Sequence, residues 1–324
     1  MKKLLVCMLM LAMLGSVLFA AGSSEGQPAQ QQKSEMILGT AGTAGTYYVV
    51  GAAMGASVNK NSNTLNIVVQ PTKGSMENLN LANTDEIQLG FSNSDGVYWA
   101  ATGTGIFAKS GKLNIKAVMN LYRSQAQMVT LKKSGIKTYG DLKGKKVNLG
   151  PSGQTIVEVS KSVLRAYGID PEKDITPFYL AVDEGLGKLK DGEIDASFFV
   201  AAAPTAGVVN IASNTDILLV DIDKAILDKV TSDFPFYGKG VISAGTYKGQ
   251  DQDVNVVEMV TEIFASSKAS EAAVYEFVKQ ALETQPQYVN AHVSIQEIQP
   301  EFASKTVTEL HPGALKYYKE KGLR

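Results

Sequence analysis

A glycine-rich loop near the start of the chain has the composition of an anion-binding loop. Residues 39–46 are Gly-Thr-Ala-Gly-Thr-Ala-Gly-Thr, between an apolar run and a helical pattern. Glycine lets a ligand approach the backbone closely, and the first turn of a helix offers unpaired N–H groups with a partial positive charge. The loop therefore predicts contact with an anion or a carboxylate, with a turn for tight helix packing as the alternative. Its glycine spacing excludes the dinucleotide fingerprint G-x-G-x-x-G.

A second loop of the same kind occurs in the middle of the chain. Residues 150–155 (Gly-Pro-Ser-Gly-Gln-Thr) follow a strand-like run at 146–149 and precede a helical pattern that ends at Tyr167. Two such helix starts that face one cleft would bind an anion from both sides. Residues 140–146 do not form a Walker phosphate loop, because the glycine spacing is wrong and the final Ser or Thr is absent.

Single side chains near predicted element ends add candidate ligand contacts. Arg123 could pair bidentately with a carboxylate, or could be a solvated or ion-paired arginine. Asp95 could accept a hydrogen bond from a ligand ammonium group, or could cap the helix that follows it. Four tyrosines could line a pocket or be partly buried without contacting a ligand: Tyr47, Tyr48, Tyr122 and Tyr237.

Catalysis and metal binding find little support in the sequence. His292 and His311 lie in the C-terminal region, away from the predicted ligand loops, and no neighbouring carboxylates complete a metal site. Neither a G-x-S-x-G nor an H-E-x-x-H motif occurs. We therefore expect no catalytic residue, no metal and no cofactor. The 31 Lys and Arg residues are scattered and are balanced by 32 Asp and Glu, which argues against nucleic acid as a partner.

The N-terminal residues have the pattern of a secretory signal. Lys2 and Lys3 precede an apolar run at 4–19, and small residues follow at 20–22. We predict a signal peptide at 1–22 and a flexible linker at 23–35, which is polar and small in composition. Cys7, the only cysteine, lies inside the apolar run, so a lipid anchor at the cleavage point and a disulfide are not expected.

Strand-like runs alternate with helical patterns from residue 36 onward, which is typical of βα units around mainly parallel sheets. The first units predict strands at 36–38, 65–70 and 87–91 and helices at 46–59 and 75–83. Each of these strands ends in a cluster of Gly, Thr, Ser, Asn or Asp residues, and open α/β sheets bind ligands at such strand ends.

Two segments are predicted to cross between two α/β domains. The outward crossing is residues 118–131, and the return crossing is the aromatic and glycine-rich segment 234–247. Domain I would comprise residues 36–122 and 245–324, and domain II residues 123–244. Two crossings suggest a hinge, and a cleft between hinged domains can enclose a ligand.

Several motifs, in order along the chain, resemble the TAXI family, the solute receptors of one class of TRAP transporters. They are LGTAGTAGTYYVVGAAM (38–54), GSMENL (74–79), LGFSNSDGVYWA (89–100), GPSGQT (150–155), DGEIDASFFVAAAPT (191–205), FPFYGKGVISAGTYKGQDQDV (234–254) and HPGALKYYKEKG (311–322). The resemblance covers nearly the whole chain after the predicted linker.

The resemblance implies an α/β protein with a type II periplasmic-binding-protein fold, whose two domains close on a small organic anion or amino acid, glutamate-like or dicarboxylate. The protein would be a secreted, periplasmic, non-enzymatic monomer that delivers its ligand to a membrane-embedded TRAP permease. A receptor of similar fold that serves an ABC importer or a sensor kinase is the alternative.

The predicted ligand residues come from the motifs and from the side chains named above. They are Thr43, Thr46, Tyr47, Ser75, Asn93, Asp95, Arg123, Ser152, Gly153, Thr155, Ala203, Pro204 and Tyr237. The sequence departs from the family pattern at Asn93, where a glutamine is common, and around Arg123, where a proline is frequent. The resemblance therefore does not fix the ligand.

Overall fold

The computed structural model describes residues 33–43, 45–152, 154–234 and 236–324. The predicted signal peptide and most of the predicted linker lie outside the described residues. The first strand already begins at Ser34, so the last two residues of the predicted linker belong to the sheet.

Ten strands in the described part of the chain form one mixed sheet. They are β1 (Ser34–Gly39), β2 (Leu65–Gln70), β3 (Leu89–Asn93), β4 (Ile115–Leu131), β5 (Lys146–Asn148), β6 (Thr176–Phe178), β7 (Ala196–Ala201), β8 (Ile217–Leu219), β9 (Tyr237–Ile242) and β10 (Val254–Ser266). Their order is β2-β1-β3-β10-β4-β7-β5-β6, with β8 paired to β4 and β9 paired to β10. β1 is parallel to β2 and β3, and β5 is parallel to β6 and β7, as the βα pattern predicts.

Helices follow or precede most of these strands. They are α1 (Thr46–Asn61), α2 (Ser75–Asn83), α3 (Ser94–Thr102), α4 (Thr155–Ala166), α5 (Val182–Asp191), α6 (Ala206–Asn214), α7 (Lys224–Asp233), α8 (Glu271–Glu283), α9 (Gln285–Tyr288), α10 (Pro300–Ala303) and α11 (Pro312–Glu320). The predicted bounds of β2 and α2 are confirmed, and β3 begins two residues later than predicted.

Two long antiparallel strands join the two ends of the sheet. The second half of β10 pairs with β3, while its first half pairs with β9. Along the other long strand, Ile115–Gln125 pair with β10, and Gln125–Thr130 pair with β7. We call residues 33–122 and 260–324 lobe I, and residues 123–259 lobe II. The predicted division into two domains stays a prediction.

The predicted outward crossing at 118–131 coincides with most of β4. The predicted return crossing at 234–247 is wrong, because β9 lies along lobe II and pairs only with the first half of β10. Its glycines serve close packing rather than a crossing. A Cβ atom at Gly240 would lie 2.9 Å from the Cβ of Glu258 on β10. The strand that returns to lobe I is β10 itself.

Two hydrophobic cores lie on this sheet. One belongs to lobe I, where side chains such as Val50, Met54 and Phe277 pack against β1 and β3. The other extends from α2 and α3 of lobe I into lobe II, where it includes Phe198 and Val163. Because the second core spans both lobes, the start of α3 lies against lobe II.

Phe236 anchors the aromatic part of that second core. Its ring centroid lies 5.2 Å from Trp99 on α3 and 4.7 Å from the ring of Tyr237. We expect Phe236→Ala to lower the free energy of unfolding by about 3 kcal/mol, because the lost ring leaves a cavity. Denaturant unfolding measures this change. Val241→Ala on the exposed side of β9 is the control and should change stability by less than about 0.5 kcal/mol. Equal small effects from both variants would contradict this packing role.

Candidate functional site

Four helices begin close to one another at the edge where the lobes meet. They are α1, α2 and α3 of lobe I and α4 of lobe II, and none of their N-cap residues uses its side chain as a cap. The Gln154 Nε2 atom, at the start of α4, donates to the Lys73 carbonyl oxygen before α2, at 3.1 Å. A Cβ atom at Gly96 in α3 would lie 3.1 Å from Thr155 Cγ2 in α4. The starts of α1, α2 and α4 therefore keep first-turn N–H groups available for an anion, whereas in α3 the Gly96 N–H donates to the side chain of Asp95.

Hydroxyl and amide groups, all from lobe I except that of Ser124, form a largely buried cluster beside these helix starts. Tyr47 Oη donates to Asn93 Oδ1 at 2.8 Å, which links α1 to the end of β3. The hydroxyl of Thr261 on β10 donates to the same oxygen at 3.5 Å. Ser124 Oγ on β4 lies 3.1 Å from Thr261 Oγ1. Burial raises the pKa of Tyr47 well above its ordinary value, so its hydroxyl stays protonated and can donate.

Tyr122 completes this cluster from β4. It is directly opposite Thr261 in the pairing with β10, and it is almost fully buried. Its hydroxyl has no hydrogen-bond partner in the described part of the chain. A buried hydroxyl without a partner costs about 1–3 kcal/mol, so this group is suited to bind a ligand or a water molecule.

Asp95, in the first turn of α3, carries the buried negative charge of the site. Its side chain is fully buried, the Gly96 N–H donates to Oδ1 at 2.7 Å, and the hydroxyl of Tyr237 in lobe II donates to Oδ2 at 3.4 Å. Burial raises its pKa to about 6, although the bonds from Gly96, Thr155 and Tyr237 favour the ionised form. No Lys or Arg pairs with it among the described residues. At neutral pH it is therefore an ionised carboxylate without a counter-ion.

The contacts made by Asp95 and its neighbours join the two lobes. Besides the bond from Tyr237, Ser94 Oγ donates to the Phe236 carbonyl oxygen at 3.3 Å. We call Tyr47, Asn93, Asp95, Tyr122, Ser124, Thr155, Tyr237 and Thr261 the cleft cluster. The cluster brings together five of the predicted ligand residues, and Ser75 at the start of α2 lies near Tyr47.

The Arg123 guanidinium is ion-paired within the protein, which is the alternative to a free carboxylate-binding group. Its Nε atom lies 3.2 Å from Glu258 Oε1, and its Nη1 atom lies 2.9 Å from Glu297 Oε2. The guanidinium carbon also lies 4.5 Å from the centre of the Phe302 ring. Two protein carboxylates thus already neutralise this charge at the surface.

The remaining predicted ligand residues are at the rim or outside the described residues. Thr43 and Ser152 are exposed in their loops, and Thr46 is a half-buried first residue of α1. Gly153 lies outside the described residues. The Ala203 N–H donates to Gln125 Oε1 at 3.0 Å, and the following Pro204 is exposed.

Sequence reasoning missed Ser124 and Thr261 as members of the cluster. Each is a buried polar residue within a long, mostly apolar strand. A polar side chain at a buried strand position needs a hydrogen-bond partner. A Ser or Thr within an otherwise apolar strand is therefore the sequence pattern that could have indicated these two residues. The sequence indicates Tyr122 as an aromatic residue near an element end, but it does not indicate Thr261, the residue opposite Tyr122 in the pairing of β4 with β10.

Two features are absent from the described residues. Across the described ranges, no three His, Cys, Asp or Glu side chains are grouped so that they could hold a metal ion. None of the helices in those ranges is both long and apolar enough to cross a membrane.

The unpartnered hydroxyl of Tyr122 gives a test of the site in the ligand-free protein. We expect Tyr122→Phe to leave the free energy of unfolding unchanged or to raise it by about 1 kcal/mol, because no described hydrogen bond is lost. Tyr288→Phe is the matched control, since the buried Tyr288 hydroxyl donates to the Ala281 carbonyl oxygen at 2.6 Å. The control should lose about 1 kcal/mol in denaturant unfolding. An equal loss in both variants would show that Tyr122 has a structural partner.

Several known structures have a fold similar to that of this chain. The periplasmic aliphatic sulphonate-binding protein SsuA of Escherichia coli has a TM-score of 0.51 and 15% identity, covering 89% of this chain and 84% of that chain. The alkanesulfonate-binding protein SsuA of Xanthomonas axonopodis pv. citri, bound to MOPS, has a TM-score of 0.52 and 14% identity, covering 82% and 80%. The GluR0 ligand-binding core, in complex with L-glutamate, has a TM-score of 0.50 and 10% identity, covering 82% and 99%.

At these identities the similarity shows the fold alone, and it confirms the predicted α/β fold of periplasmic binding proteins. The sequence profile of the NMT1-like family matches residues 38–322, from the end of β1 to the end of the C-terminal helix. The chain therefore belongs to the NMT1-like family.

Proposed function

We propose that this protein is an extracytoplasmic solute-binding receptor whose ligand carries both an anionic group and a protonated amine, as an amino acid does. The observation that supports this proposal most strongly is the convergence of three helix starts without a side-chain cap, those of α1, α2 and α4, near the buried carboxylate of Asp95 in α3. The helix starts suit the anion, and the carboxylate suits the amine.

The anionic end of the ligand would be bound by backbone N–H groups and hydroxyls rather than by a guanidinium. Gly45 and Gly74 precede α1 and α2, and Gly74 has a φ of 100°, a conformation that favours glycine. Both glycines leave room for a ligand near the first-turn N–H groups. Among the described residues no Lys or Arg forms an ion pair with Asp95, and the Arg123 guanidinium already pairs with Glu258 and Glu297, so we expect the anion to be bound without a side-chain cation.

The amine would bind Asp95. A protonated amine would supply the positive charge that this buried carboxylate lacks, and it would lower the pKa of Asp95 again. Hydrogen bonds to a charged group contribute about 1.5–3 kcal/mol, so this contact would account for a large share of the affinity. The hydroxyls of Tyr47, Tyr122 and Thr261 would contact the rest of the ligand.

Ligand entry requires the lobes to separate, since they touch through the Gln154, Ser94 and Tyr237 contacts. The strands that continue from one lobe to the other are β4 and β10, so they are the expected hinge. A ligand that contacts both lobes shifts the equilibrium toward the closed form, which a membrane partner can then recognise.

The membrane partner is proposed from the resemblance to the TAXI family. That resemblance favours a TRAP permease as the partner and a periplasmic location for the receptor. The fold of the SsuA proteins and of the GluR0 core fits an ABC importer or a sensor equally well. Transport assays in membrane vesicles distinguish these partners, because uptake through a TRAP permease needs an ion gradient and uptake through an ABC importer needs ATP.

Ligand binding by Asp95→Asn tests the proposed site. We expect this variant to lose at least about tenfold in affinity for an amino-acid ligand, because the charge-assisted hydrogen bond to the amine is lost. Its affinity for the same compound without the amine should change by less than about threefold. Isothermal titration of the purified protein with amino acids, dicarboxylates, sulfonates and sugars measures both quantities.

Asp233→Asn is the matched control for that experiment, because Asp233 is a surface residue paired with Lys229. It should bind like the original protein. An amino-acid ligand whose affinity Asp95→Asn leaves unchanged would contradict the amine contact. Binding of neutral sugars alone would contradict the whole ligand assignment.

Arg123→Ala provides a separate test of the site's position. Its guanidinium already pairs with Glu258 and Glu297, so we expect ligand affinity to change by less than about threefold. Titration of this variant with the best ligand of the panel measures the effect. A loss of more than about tenfold would place the guanidinium in the binding site.

A further inference from the structure

Glu262 is a second buried carboxyl group, and the proposed ligand site does not use it. It lies in the part of β10 that belongs to lobe I, next to Thr261 of the cleft cluster, and it is fully buried. Neither of its carboxyl oxygens has a hydrogen-bond partner in the residues that the structure describes. An ionised carboxylate in such a position would be desolvated without compensation, which proteins avoid.

The cross-strand neighbour of Glu262 also has a buried polar atom without a hydrogen-bond partner. Asn120 on β4 is its direct partner in the antiparallel pairing, and such partners have Cβ atoms about 4.5–5.5 Å apart on one face of the sheet. The Asn120 Nδ2 atom donates to the Lys305 carbonyl oxygen at 2.8 Å. The buried Asn120 Oδ1 atom has no donor within the described ranges.

A single hydrogen bond between Glu262 and Asn120 would give both unpaired groups a partner. A carboxylate opposite an amide oxygen would place two acceptors together without a proton between them. A neutral carboxylic acid has one O–H donor, and that donor would satisfy both groups at once. We propose that Glu262 is held as a neutral acid whose O–H donates to Asn120 Oδ1, so that a proton links β10 to β4 beside the cleft.

The surroundings of Glu262 favour this neutral form. Burial raises its pKa from 4.5 to about 8, and the negative charge of Asp95 on α3 adds to the increase. The nearby Val307 N–H, which does not reach hydrogen-bond geometry with either carboxyl oxygen, opposes the increase. The C-terminal segment brings other charges near β4, but they have partners of their own or are exposed. Glu309 pairs with Lys116, Arg324 donates to the Ser304 carbonyl oxygen, and the Lys305 side chain is exposed.

The position of this proton matters because β4 and β10 are irregular there. The pairing register shifts between Thr261 and Glu262, so the backbone ladder is interrupted at this residue. Ionisation of Glu262 would break the side-chain link at the same point and would place a second negative charge near Asp95. The strands that join the lobes would therefore be less stable at alkaline pH.

The pH dependence of stability tests the proposal without any ligand. The folded protein would keep the proton up to about pH 8, whereas the unfolded chain loses it near the ordinary value of 4.5. The folded state thus binds more protons in this range, and stability falls as pH rises through it. Glu262→Gln cannot ionise and can still donate to Asn120. Its equilibrium constant for folding, relative to the original protein, should increase about tenfold per pH unit between about pH 5 and 7.

Glu35→Gln on the exposed start of β1 is the control, and its stability curve should run parallel to that of the original protein. Infrared difference spectra give a direct second readout. The carbonyl stretch of a protonated carboxylic acid should be present at neutral pH in the original protein and absent in Glu262→Gln. The proposal would be overturned if the stability curve of Glu262→Gln ran parallel to that of the original protein. The absence of the carbonyl band from the original protein at neutral pH would also overturn it.

The role of Asn120 is tested by Asn120→Ala at two pH values. Asn120→Ala should lower the equilibrium constant for folding by a factor that is about five times larger at about pH 6 than at about pH 9. The reason is that the acid donates to Asn120 only while it is protonated. An equal cost at both values would remove Asn120 as the acceptor. If stability instead rises with Na⁺ or K⁺ concentration and Glu262→Gln abolishes the effect, the group is an ionised cation ligand and the proposal is wrong.

Discussion

The antiparallel pairing of β4 and β10 is the constraint on which the rest of the structure depends. The two strands are the ones that belong to both lobes, and their pairing places Tyr122 opposite Thr261 and Asn120 opposite Glu262. A slip of one residue would turn these side chains to the other face of the sheet. The register therefore fixes both the hydroxyls of the cleft cluster and the buried carboxyl group behind them.

Two carboxyl groups without ionic partners lie near this pairing, and both reduce stability at neutral pH. Burial raises the pKa of Asp95 to about 6 and that of Glu262 to about 8, which means that folding favours the protonated form of each. A chain selected for stability alone would have neutral side chains there. Asp95 faces the junction of the lobes, where a ligand can compensate its charge, whereas Glu262 faces Asn120 within the sheet.

Local patterns were sufficient to predict the βα units and the helix starts, because periodicity and strand-end composition depend on neighbouring residues. Tertiary partners could not be predicted in this way. Arg123 pairs with Glu297, which is 174 residues away in the sequence, so the sequence left open whether its charge is free or paired. Thr261 and Ser124 belong to the site only through strand pairing. The return crossing was misplaced because the glycines of β9 resembled a linker rather than a strand packed on Glu258.

The structure of the protein crystallised with its best amino-acid ligand would test the central claim most directly. Our account predicts that the ligand lies between the lobes, with its anionic group at the starts of α1 and α2 and its amine within hydrogen-bond distance of Asp95. The Tyr122 hydroxyl should gain a partner in that complex. A ligand bound beside Arg123, or one whose amine is distant from Asp95, would contradict the account.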